Sequence, residues 1–394
     1  MSEGAVLASA EESTQTEVGE DPEPTEEVVE APLLLHSLAE FRELIQACLD
    51  ASGAKTVVEI GAEAGAFTRE LLVWAEASDA RLFCVDPAPS QAMMDLVTGS
   101  ERAELILERS LDALGRLEPC DAYLIDGDHN YYTVDRELRT ITDQAEASGQ
   151  HPLIFLHDVG WPSGRRDMYY SPQSIPSAGR HEHTYDGGTV PGRSDLVEGG
   201  FRGEGQFAWA RHEGGPRNGV RTAVEDFLGD HPGLVLADVP CVFGLGVVYP
   251  RSAPYAAAVA EILEPYDGDV LLRRLEENRL TLYLRVLEMQ DDMAGLHRVL
   301  AERHDDLCEL HRELERSSLY VRDVEVENRA LRGRVGELEE KGRRHDELVQ
   351  EVQTVVRSRS IVTAEWTSRL LGRLRNRPTL SLGRLRALAE QDRT

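Results

Sequence analysis

Two carboxylates and a histidine follow a short apolar run in the segment LIDGDHN, where a strand-like pattern gives way to a helical one. These residues are Asp126, Asp128 and His129. A second pair, His157 and Asp158, follows the apolar run LIFL in the same way. Histidine exchanges protons near neutral pH, and neighbouring carboxylates either orient a histidine or bind a divalent cation. The two segments predict a reaction centre, with a solvated turn as the alternative interpretation.

Elements that could position these side chains alternate along the chain from about residue 34 to 250. The apolar runs are TVVEI, RLFCV, ELIL, AYLI and LIFL, followed by LVLADV and VFGLGVVY. Helical patterns lie between most of the first five runs, which predicts an α/β fold with a doubly wound, mostly parallel sheet. The last two runs are close enough to pair antiparallel at one edge. Ligands bind beyond the carboxyl ends of parallel strands, so Asp126 and Asp158 are expected to meet there.

A glycine-containing turn follows the first strand in VVEIGAEAGAF. Gly61 and Gly65 allow a tight turn and close approach of a ligand to the next helix. The G-x-G-x-x-G fingerprint of dinucleotide sites is missing, and Glu63 would repel a pyrophosphate, so an NAD-linked oxidoreductase is disfavoured. Asp86 ends the second strand, where an acid binds ribose hydroxyls, and the segment around Ser110 would form an adenine wall.

The order of these features resembles the class I S-adenosylmethionine-dependent methyltransferases over about residues 55–160. DGDH with the following Tyr131, Val134 and Leu138 resembles the DGxHxYxxVxxDL pattern of a bacterial small-molecule subgroup, with Glu137 replacing its Asp. HDV at the end of the fifth strand matches the same subgroup. The resemblance implies S-adenosylmethionine as cofactor, with cofactor contacts from Glu59, Gly61, Gly65, Asp86 and Ser110. It implies a catalytic group of His129, His157 and Asp126.

A metal-dependent reaction is the alternative to a histidine base. Related catechol-type O-methyltransferases bind a metal ion with acids at these same strand ends, so Asp126 and Asp158 are candidate Mg²⁺ ligands. The fifth strand here ends in Asp-Val, where those enzymes usually have Asp-Asn, so one oxygen ligand is lost. Deprotonation by His129 or His157 and activation by Mg²⁺ both stay open at this point.

The segment 160–217 is rich in Gly, Pro, His, Arg and aromatic residues and is too long for a simple connection. We interpret it as a substrate loop, because aromatic rings stack on rings or sugars and Arg pairs with carboxylate or phosphate. The candidate substrate contacts are Asp128, Tyr131, Trp161, Arg165, Arg166 and Tyr169. The His181-Glu182-His183 run has no partner at metal-ligand spacing and is interpreted as solvated loop.

Heptads with mostly apolar a and d positions continue for about twelve repeats in one frame from Leu272. They predict a long C-terminal coiled coil, and Asn328 at an a position favours a parallel dimer in one register. A helical hairpin is the alternative. The predicted domains are an acidic disordered tail at 1–32, a methyltransferase domain at 33–252, a helix and coiled coil at 253–356, and an Arg-rich tail at 357–394. The expected partners are a second copy or a pathway protein.

The chain of 394 residues carries a net charge of −29, which disfavours binding to nucleic acid or anionic lipid. The five cysteines are scattered without a CxxC pair, and no apolar run is long enough to span a bilayer. These features favour a cytoplasmic protein. We therefore expect methyl transfer to a small molecule, such as O-methylation of a sugar or secondary metabolite. The alternative is a scaffold with a degenerate methyltransferase domain and a dimerising coiled coil.

Overall fold

The computed structural model describes residues 33–62 and 64–375, together with Gly383 and Ala387. The predicted acidic tail at 1–32, Glu63 and the end of the predicted Arg-rich tail lie outside the described residues. The chain divides into two compact units, of which the first ends at Ala294 and the second begins at Gly295. The first unit contains every predicted site residue.

A seven-stranded sheet forms the centre of the first unit, in the order β3-β2-β1-β4-β5-β10-β9. Its strands are β1 (Thr56–Ile60), β2 (Arg81–Val85), β3 (Ala103–Ile106), β4 (Ala122–Ile125), β5 (Leu153–His157), β9 (Leu234–Val239) and β10 (Leu245–Pro250). Strands β1 to β5 pair in parallel, whereas β10 pairs antiparallel with both β5 and β9. The predicted doubly wound sheet and its antiparallel edge are both confirmed.

A second, three-stranded sheet lies within the predicted substrate loop, in the order β6-β8-β7. It consists of β6 (Met168–Tyr169), β7 (His183–Thr184) and β8 (Ala208–Ala210). Both strand pairs are antiparallel. The loop therefore has a hydrogen-bonded framework of its own, which the Gly- and Pro-rich sequence did not predict.

Helices cover both faces of the large sheet. They are α1 (Arg42–Ser52), α2 (Ala66–Ser78), α3 (Gln91–Thr98), α4 (Ser110–Leu114), α5 (Tyr131–Ser148), α6 (Val220–Asp230) and α7 (Ala256–Leu263). Apolar side chains of α1, α2, α3 and α7 pack with one face of the sheet, and those of α4, α5 and α6 pack with the other. Strand β5 is buried along its whole length, as expected for a central strand between two helical layers.

Local sequence signals explain where the site helices begin and end. Asn130 caps α5, because its side-chain oxygen accepts a hydrogen bond from the Thr133 amide. Helix α5 ends at Gly149 in the left-handed conformation that glycine adopts without strain. Helix α2 begins directly after Gly65, which also has a positive φ. The capping residue Asn130 thus fixes the helix that follows the DGDH segment.

Two helices follow the sheet domain: α8 (Val270–Arg357) and α9 (Arg359–Arg375). The first turns of α8 belong to the first unit, where Leu272 and Leu280 pack against apolar side chains of that unit. In the second unit the apolar heptad side chains of α8 are largely exposed, including those of Leu300, Leu307 and Leu314. Within the described part of the chain, no helix is both long and apolar enough to cross a membrane.

Candidate active site

Two histidine–carboxylate pairs meet at the carboxyl ends of β4 and β5. Nδ1 of His129 lies 2.9 Å from Oδ2 of Asp158, and Nδ1 of His157 lies 3.0 Å from Oδ1 of Asp126. Each pair joins one residue after β4 to one residue at the end of β5, so the pairs cross between neighbouring strands. The sequence prediction that these four side chains come together agrees with this geometry.

His157 has both ring nitrogens engaged and is almost completely buried. Its Nδ1 faces Asp126, and its Nε2 donates to the Val242 carbonyl at 2.9 Å. Because both partners are acceptors, both nitrogens carry protons. Burial disfavours the charged ring, but the Asp126 and Asp158 carboxylates outweigh this effect and raise the pKa to about 9. A protonated, fully engaged ring cannot accept a proton from a substrate, and His157 instead orients Asp126.

His129 is arranged differently, because only its Nδ1 has a partner. Within the described residues its Nε2 has no hydrogen-bond partner, while Nδ1 donates to Asp158 in the neutral ring. Burial disfavours the charged ring, yet Asp158 and Asp126 overcome this and raise the pKa. The Tyr170 ring lies 6.0 Å away between centroids. A carboxylate-oriented imidazole with an open second nitrogen has the arrangement of a general base.

The backbone at Asp158 is strained, with a φ of 58°. Non-glycine residues in this left-handed region cost free energy and are concentrated at functional sites. Asp126, His129 and Asp158 each offer one ligand atom, and these atoms lie within 4.8 Å of one another. This group fits a divalent cation in its donor types, and it is the one such group among the described residues. His181 and His183 are engaged by backbone carbonyls in the loop.

The predicted cofactor turn lies directly beside this centre. Gly61 has a φ of 86°, and a Cβ added there would lie 2.3 Å from the Asp126 carbonyl oxygen. Gly65 has a φ of 77°, and a Cβ added there would lie 2.9 Å from the Met93 sulfur. Asp86 lies at the end of β2, and its Oδ1 accepts a hydrogen bond from the Ala88 amide. The glycines thus let the β1–α2 turn pack against the backbone of the reaction-centre loop.

Glu59 is buried in β1 beneath this turn. Its carboxylate accepts a hydrogen bond of 2.7 Å from the Thr68 hydroxyl on α2. Burial raises the pKa to about 7, although the Thr68 hydrogen bond lowers it in part. This hydrogen bond joins β1 to α2 and so fixes the position of the glycine turn that connects them. The sequence resemblance assigned Glu59 to the cofactor, and that contact stays a prediction.

Ser110 begins α4, next to the buried side chain of Glu137 on α5. Within the described part of the chain, neither carboxylate oxygen of Glu137 has a partner of normal hydrogen-bond geometry. Burial raises the pKa of Glu137 to about 8, and the nearby Ser110 hydroxyl lowers it in part. Glu137 therefore carries a proton at neutral pH, which relieves the cost of a buried unpaired charge.

We expect Glu137→Gln to stabilise the protein at alkaline pH. The folded state keeps the Glu137 proton up to about pH 8, whereas the unfolded chain loses it near pH 4.5, so wild-type stability falls between these values. The glutamine variant has no such loss. At pH 9 it should be more stable by about 2–4 kcal/mol in urea unfolding, and the difference should shrink towards pH 5. A difference independent of pH would contradict the buried-proton assignment.

Several predicted substrate contacts are engaged within the loop itself. Arg166 is fully buried and donates to the Ala210 and Ser194 carbonyls. Tyr169 is also fully buried, and its hydroxyl donates to Asp167 at 2.7 Å. These partners hold the small three-stranded sheet together. We therefore assign Arg166 and Tyr169 a structural role in the loop and no longer propose them as substrate contacts.

The remaining predicted contacts lie nearer the surface. Arg165 is exposed and pairs with Glu225, while the Tyr131 hydroxyl donates to Asp226 at 3.0 Å. Asp128 accepts a hydrogen bond from Thr133, and burial raises its pKa. The Trp161 ring packs near Phe201 with 6.0 Å between centroids. All four side chains stay candidates for substrate contact, although Arg165 and Tyr131 also contact α6.

An aromatic cluster extends from His129 across the loop, and the sequence analysis did not identify it as a unit. Tyr170 contacts Phe207, which contacts Trp209 and Phe201. A groove of about 330 Å³ adjoins this cluster, with lining residues that include Leu34, His36, Phe201, Phe243, Tyr283 and Leu287. Its members are spread across the chain, so no local pattern could have revealed them.

Comparison with known proteins finds one family match and a set of solved structures with low similarity. Residues 58–159 match the sequence model of a family described as a methyltransferase domain. No curated protein matches the sequence. Solved structures with a similar fold include an O-methyltransferase from Bacillus cereus in complex with S-adenosylhomocysteine, at 14% identity. That match covers 54% of this chain and 81% of the other, with a TM-score of 0.33.

Two further solved structures show the same level of similarity. TomG, an O-methyltransferase from Streptomyces achromogenes in complex with S-adenosylmethionine, has 13% identity and a TM-score of 0.33, covering 55% of this chain and 82% of that one. A methyltransferase from Podospora anserina, bound to S-adenosylhomocysteine, has 16% identity and a TM-score of 0.34, and the match covers 52% of this chain and 76% of that one. These values are too low to transfer a substrate. The family match and the strand order together indicate a methyltransferase domain around residues 58–159.

Proposed function

We propose that the protein transfers a methyl group from S-adenosylmethionine to a hydroxyl oxygen of a small molecule, with His129 as general base. The observation that carries this proposal is the buried Asp158–His129 pair, whose open Nε2 lies at the ligand edge of the sheet. A scaffold without turnover would gain nothing from two crossed histidine–carboxylate pairs, which are costly to bury.

The cofactor would lie over the glycine turn of Gly61 and Gly65, with Asp86 as the acceptor for its ribose hydroxyls. The positive φ at both glycines gives the tight turn that lets a ligand approach the start of α2, and the close packing of Gly61 on the Asp126 backbone places this turn beside the reaction centre. When bound, S-adenosylmethionine supplies an electrophilic methyl group on a sulfonium. Ser110 at the start of α4 would border the adenine. S-adenosylmethionine has no phosphate group, so the site needs no positively charged side chain to bind one.

The chain contributes orientation and proton transfer. Nε2 of His129 would accept the proton of the acceptor hydroxyl as its oxygen takes the methyl group, the methyl–sulfur bond breaks and S-adenosylhomocysteine leaves. Asp158 holds the ring through Nδ1 and stabilises the charge that develops on it. His157, protonated at both nitrogens, fixes the Asp126 carboxylate at the edge of the same site. In-line alignment of the two reactants would supply much of the rate enhancement.

A divalent cation is compatible with the same residues. Asp126, His129 and Asp158 would hold it, and it would lower the pKa of the acceptor hydroxyl. Two carboxylates and one imidazole suit Mn²⁺ as well as Mg²⁺. His157 carries a positive charge beside Asp126, which weakens the attraction of this site for a cation. We therefore propose the cation as the alternative to base catalysis by His129, because a ring nitrogen that binds a cation cannot also accept the proton of the acceptor hydroxyl.

The acceptor would be a small molecule with a planar ring or a sugar face. Tyr170 beside His129, with Phe207 and Trp161 nearby, offers aromatic surface for stacking. The tyrosine is half exposed, so part of this surface is accessible. Asp128 would accept a hydrogen bond from a second hydroxyl of such a ligand.

The proposal is tested by calorimetric titration of S-adenosylmethionine and S-adenosylhomocysteine, followed by a screen of phenolic and sugar acceptors for methylated products. Micromolar cofactor binding and a methyl ether product are expected. Absence of cofactor binding would refute the proposal and favour the scaffold. The screen is repeated after chelation: an unchanged rate supports His129 as the base, and a rate that is lost and then restored by Mg²⁺ or Mn²⁺ supports the cation in its place.

The second unit is proposed to associate with a second copy of the chain. Its apolar heptad positions are exposed in the single chain, including Leu307, Leu310 and Leu338. Burying such a stripe against an identical helix is the usual solution for heptad repeats, and Asn328 would pair with its counterpart in a parallel dimer. This proposal agrees with the sequence prediction of a homodimer, and a pathway protein with a matching heptad helix is the alternative partner.

Truncation after Ala294 is expected to give a monomer that still binds the cofactor. The truncated chain keeps the whole sheet and the α8 turns that pack on it, but it loses the exposed heptads. Light scattering of the truncated and full-length proteins measures the change in mass. A truncated protein that stays dimeric would show that the sheet domain, and not the heptad segment, associates.

A further inference from the structure

The turn between β9 and β10 has an unusual backbone at Val242 and Phe243. Both residues have positive φ angles, 46° and 64°, although neither is a glycine. A β-branched residue such as Val is particularly unfavourable in this region. Conformations of this kind persist only where surrounding contacts hold them. The contacts that hold this turn in its conformation therefore also affect the geometry of the neighbouring site.

The turn touches the reaction centre directly. The Val242 carbonyl accepts the Nε2 proton of His157 at 2.9 Å, and the Phe243 carbonyl accepts a hydrogen bond from the Gly160 amide. His157 in turn orients Asp126. The direction of the Val242 carbonyl depends on the left-handed conformation, because rotation of the backbone would turn the carbonyl away from the ring.

Glu276 on α8 binds the other side of this turn. Its Oε2 accepts from the Val242 amide at 3.1 Å, and its Oε1 accepts from the Phe243 amide at 2.9 Å. Arg279 donates to both carboxylate oxygens at 2.6 Å and also to the Leu35 carbonyl. A carboxylate that accepts two adjacent amides selects the backbone conformation in which both N–H groups point to one side.

We propose that Glu276 is a positioning residue for the methyl-transfer centre, acting through the Val242 carbonyl on His157 and so on Asp126. The inference rests on the proposed function and extends it to a helix far along the sequence from residues 58–159. Among the described residues, the hydrogen bonds of the Glu276 side chain go to Val242, Phe243 and Arg279 and not to the cofactor turn or His129. Its loss should therefore affect the rate and leave cofactor affinity unchanged.

The test compares Glu276→Ala and Glu276→Gln with the control Glu277→Gln. Glu277 is the next residue on α8, is exposed, and pairs with Arg274 on the surface. Glu276→Ala should lower kcat at least tenfold, with the S-adenosylmethionine Kd within twofold of wild type. The kcat of Glu276→Gln should lie between those of Glu276→Ala and Glu277→Gln. Equal kcat in Glu276→Ala and Glu277→Gln would overturn the proposal.

A rescue experiment separates positioning from general damage to the fold. Val242→Gly removes the conformational strain at the turn, since glycine adopts a positive φ freely. In the Glu276→Ala background, this change should recover a large part of the lost kcat. Failure of the double variant to recover any activity, with thermal stability unchanged, would contradict a role through the turn.

Two readouts do not need activity, so they also decide the matter if the methyltransferase proposal fails. Hydrogen exchange of the Val242 and Phe243 amides should speed up at least tenfold in Glu276→Ala and stay unchanged in Glu277→Gln. In proteins labelled with ¹⁵N-histidine, the Nε2–H signal of His157 should be lost or shifted in Glu276→Ala alone. Unchanged exchange and an unchanged His157 signal would refute the positioning role, whatever the reaction.

Discussion

Methyl transfer by His129→Ala is expected to be slower than wild type by about 10²–10⁴-fold, the usual contribution of a general base. The imidazole is held by Asp158 through Nδ1, and its loss removes the Nε2 that would accept the proton. The affinity for S-adenosylmethionine should not change, because the glycine turn and Asp86 lie on other strands. Single-turnover kinetics and calorimetry measure the two quantities separately.

The control for this variant is His151→Ala. His151 is exposed and its side chain has no role in the site. Asp158→Asn is a useful third variant, because asparagine tolerates the left-handed backbone at this position while removing the charge. It should show a smaller loss than His129→Ala. A loss of less than about fivefold in His129→Ala would remove His129 from the role of base.

Gly61→Ala is expected to abolish measurable cofactor binding, a loss of at least about 100-fold in affinity. The added Cβ would lie 2.3 Å from the Asp126 carbonyl oxygen and 2.6 Å from the Gly127 Cα, both in the backbone. Neither backbone atom can move without shifting the reaction-centre loop, and alanine is also strained at a φ of 86°. The turn must therefore separate from the loop, which displaces every amide that would face the ligand.

The matched control is Gly53→Ala. Gly53 also has a positive φ, 68°, but a Cβ there would meet no atom within 4 Å. It measures the cost of backbone strain alone, about 1 kcal/mol of unfolding free energy. Thermal unfolding shows whether each variant is folded, and titration gives the affinity. Wild-type affinity in folded Gly61→Ala would place the cofactor elsewhere.

The sheet could be predicted closely because its signals are local. Each parallel strand is a short apolar run, and the acids and histidines that follow β4 and β5 lie where strand ends converge. Asp126, His129, His157 and Asp158 therefore come together as the sequence suggests. The different roles of the two histidines could not be predicted, because they depend on the Val242 carbonyl at a distant position.

The loop residues show the opposite case. Arg166 and Tyr169 have side chains that suit a substrate, but the same groups also satisfy buried carbonyls and carboxylates. Whether these side chains bind a substrate or the loop's own polar groups depends on how the loop folds. No local periodicity in the sequence indicates how it folds. Glu276 is similar: in the sequence it is an ordinary charged position of a heptad helix, and only the fold brings it to the β9–β10 turn.

The antiparallel pairing of β5 with β10 has a consequence for folding. Strand β5 is entirely apolar up to His157 and is buried on both faces, and its free side is covered only when Leu245 to Val248 pair with it. During synthesis, β5 is thus an unprotected edge until the chain has passed residue 250. Long, flat apolar edges recruit other strands, so chains that end before β10 are prone to aggregate. The late strand protects the growing protein as well as completing the sheet.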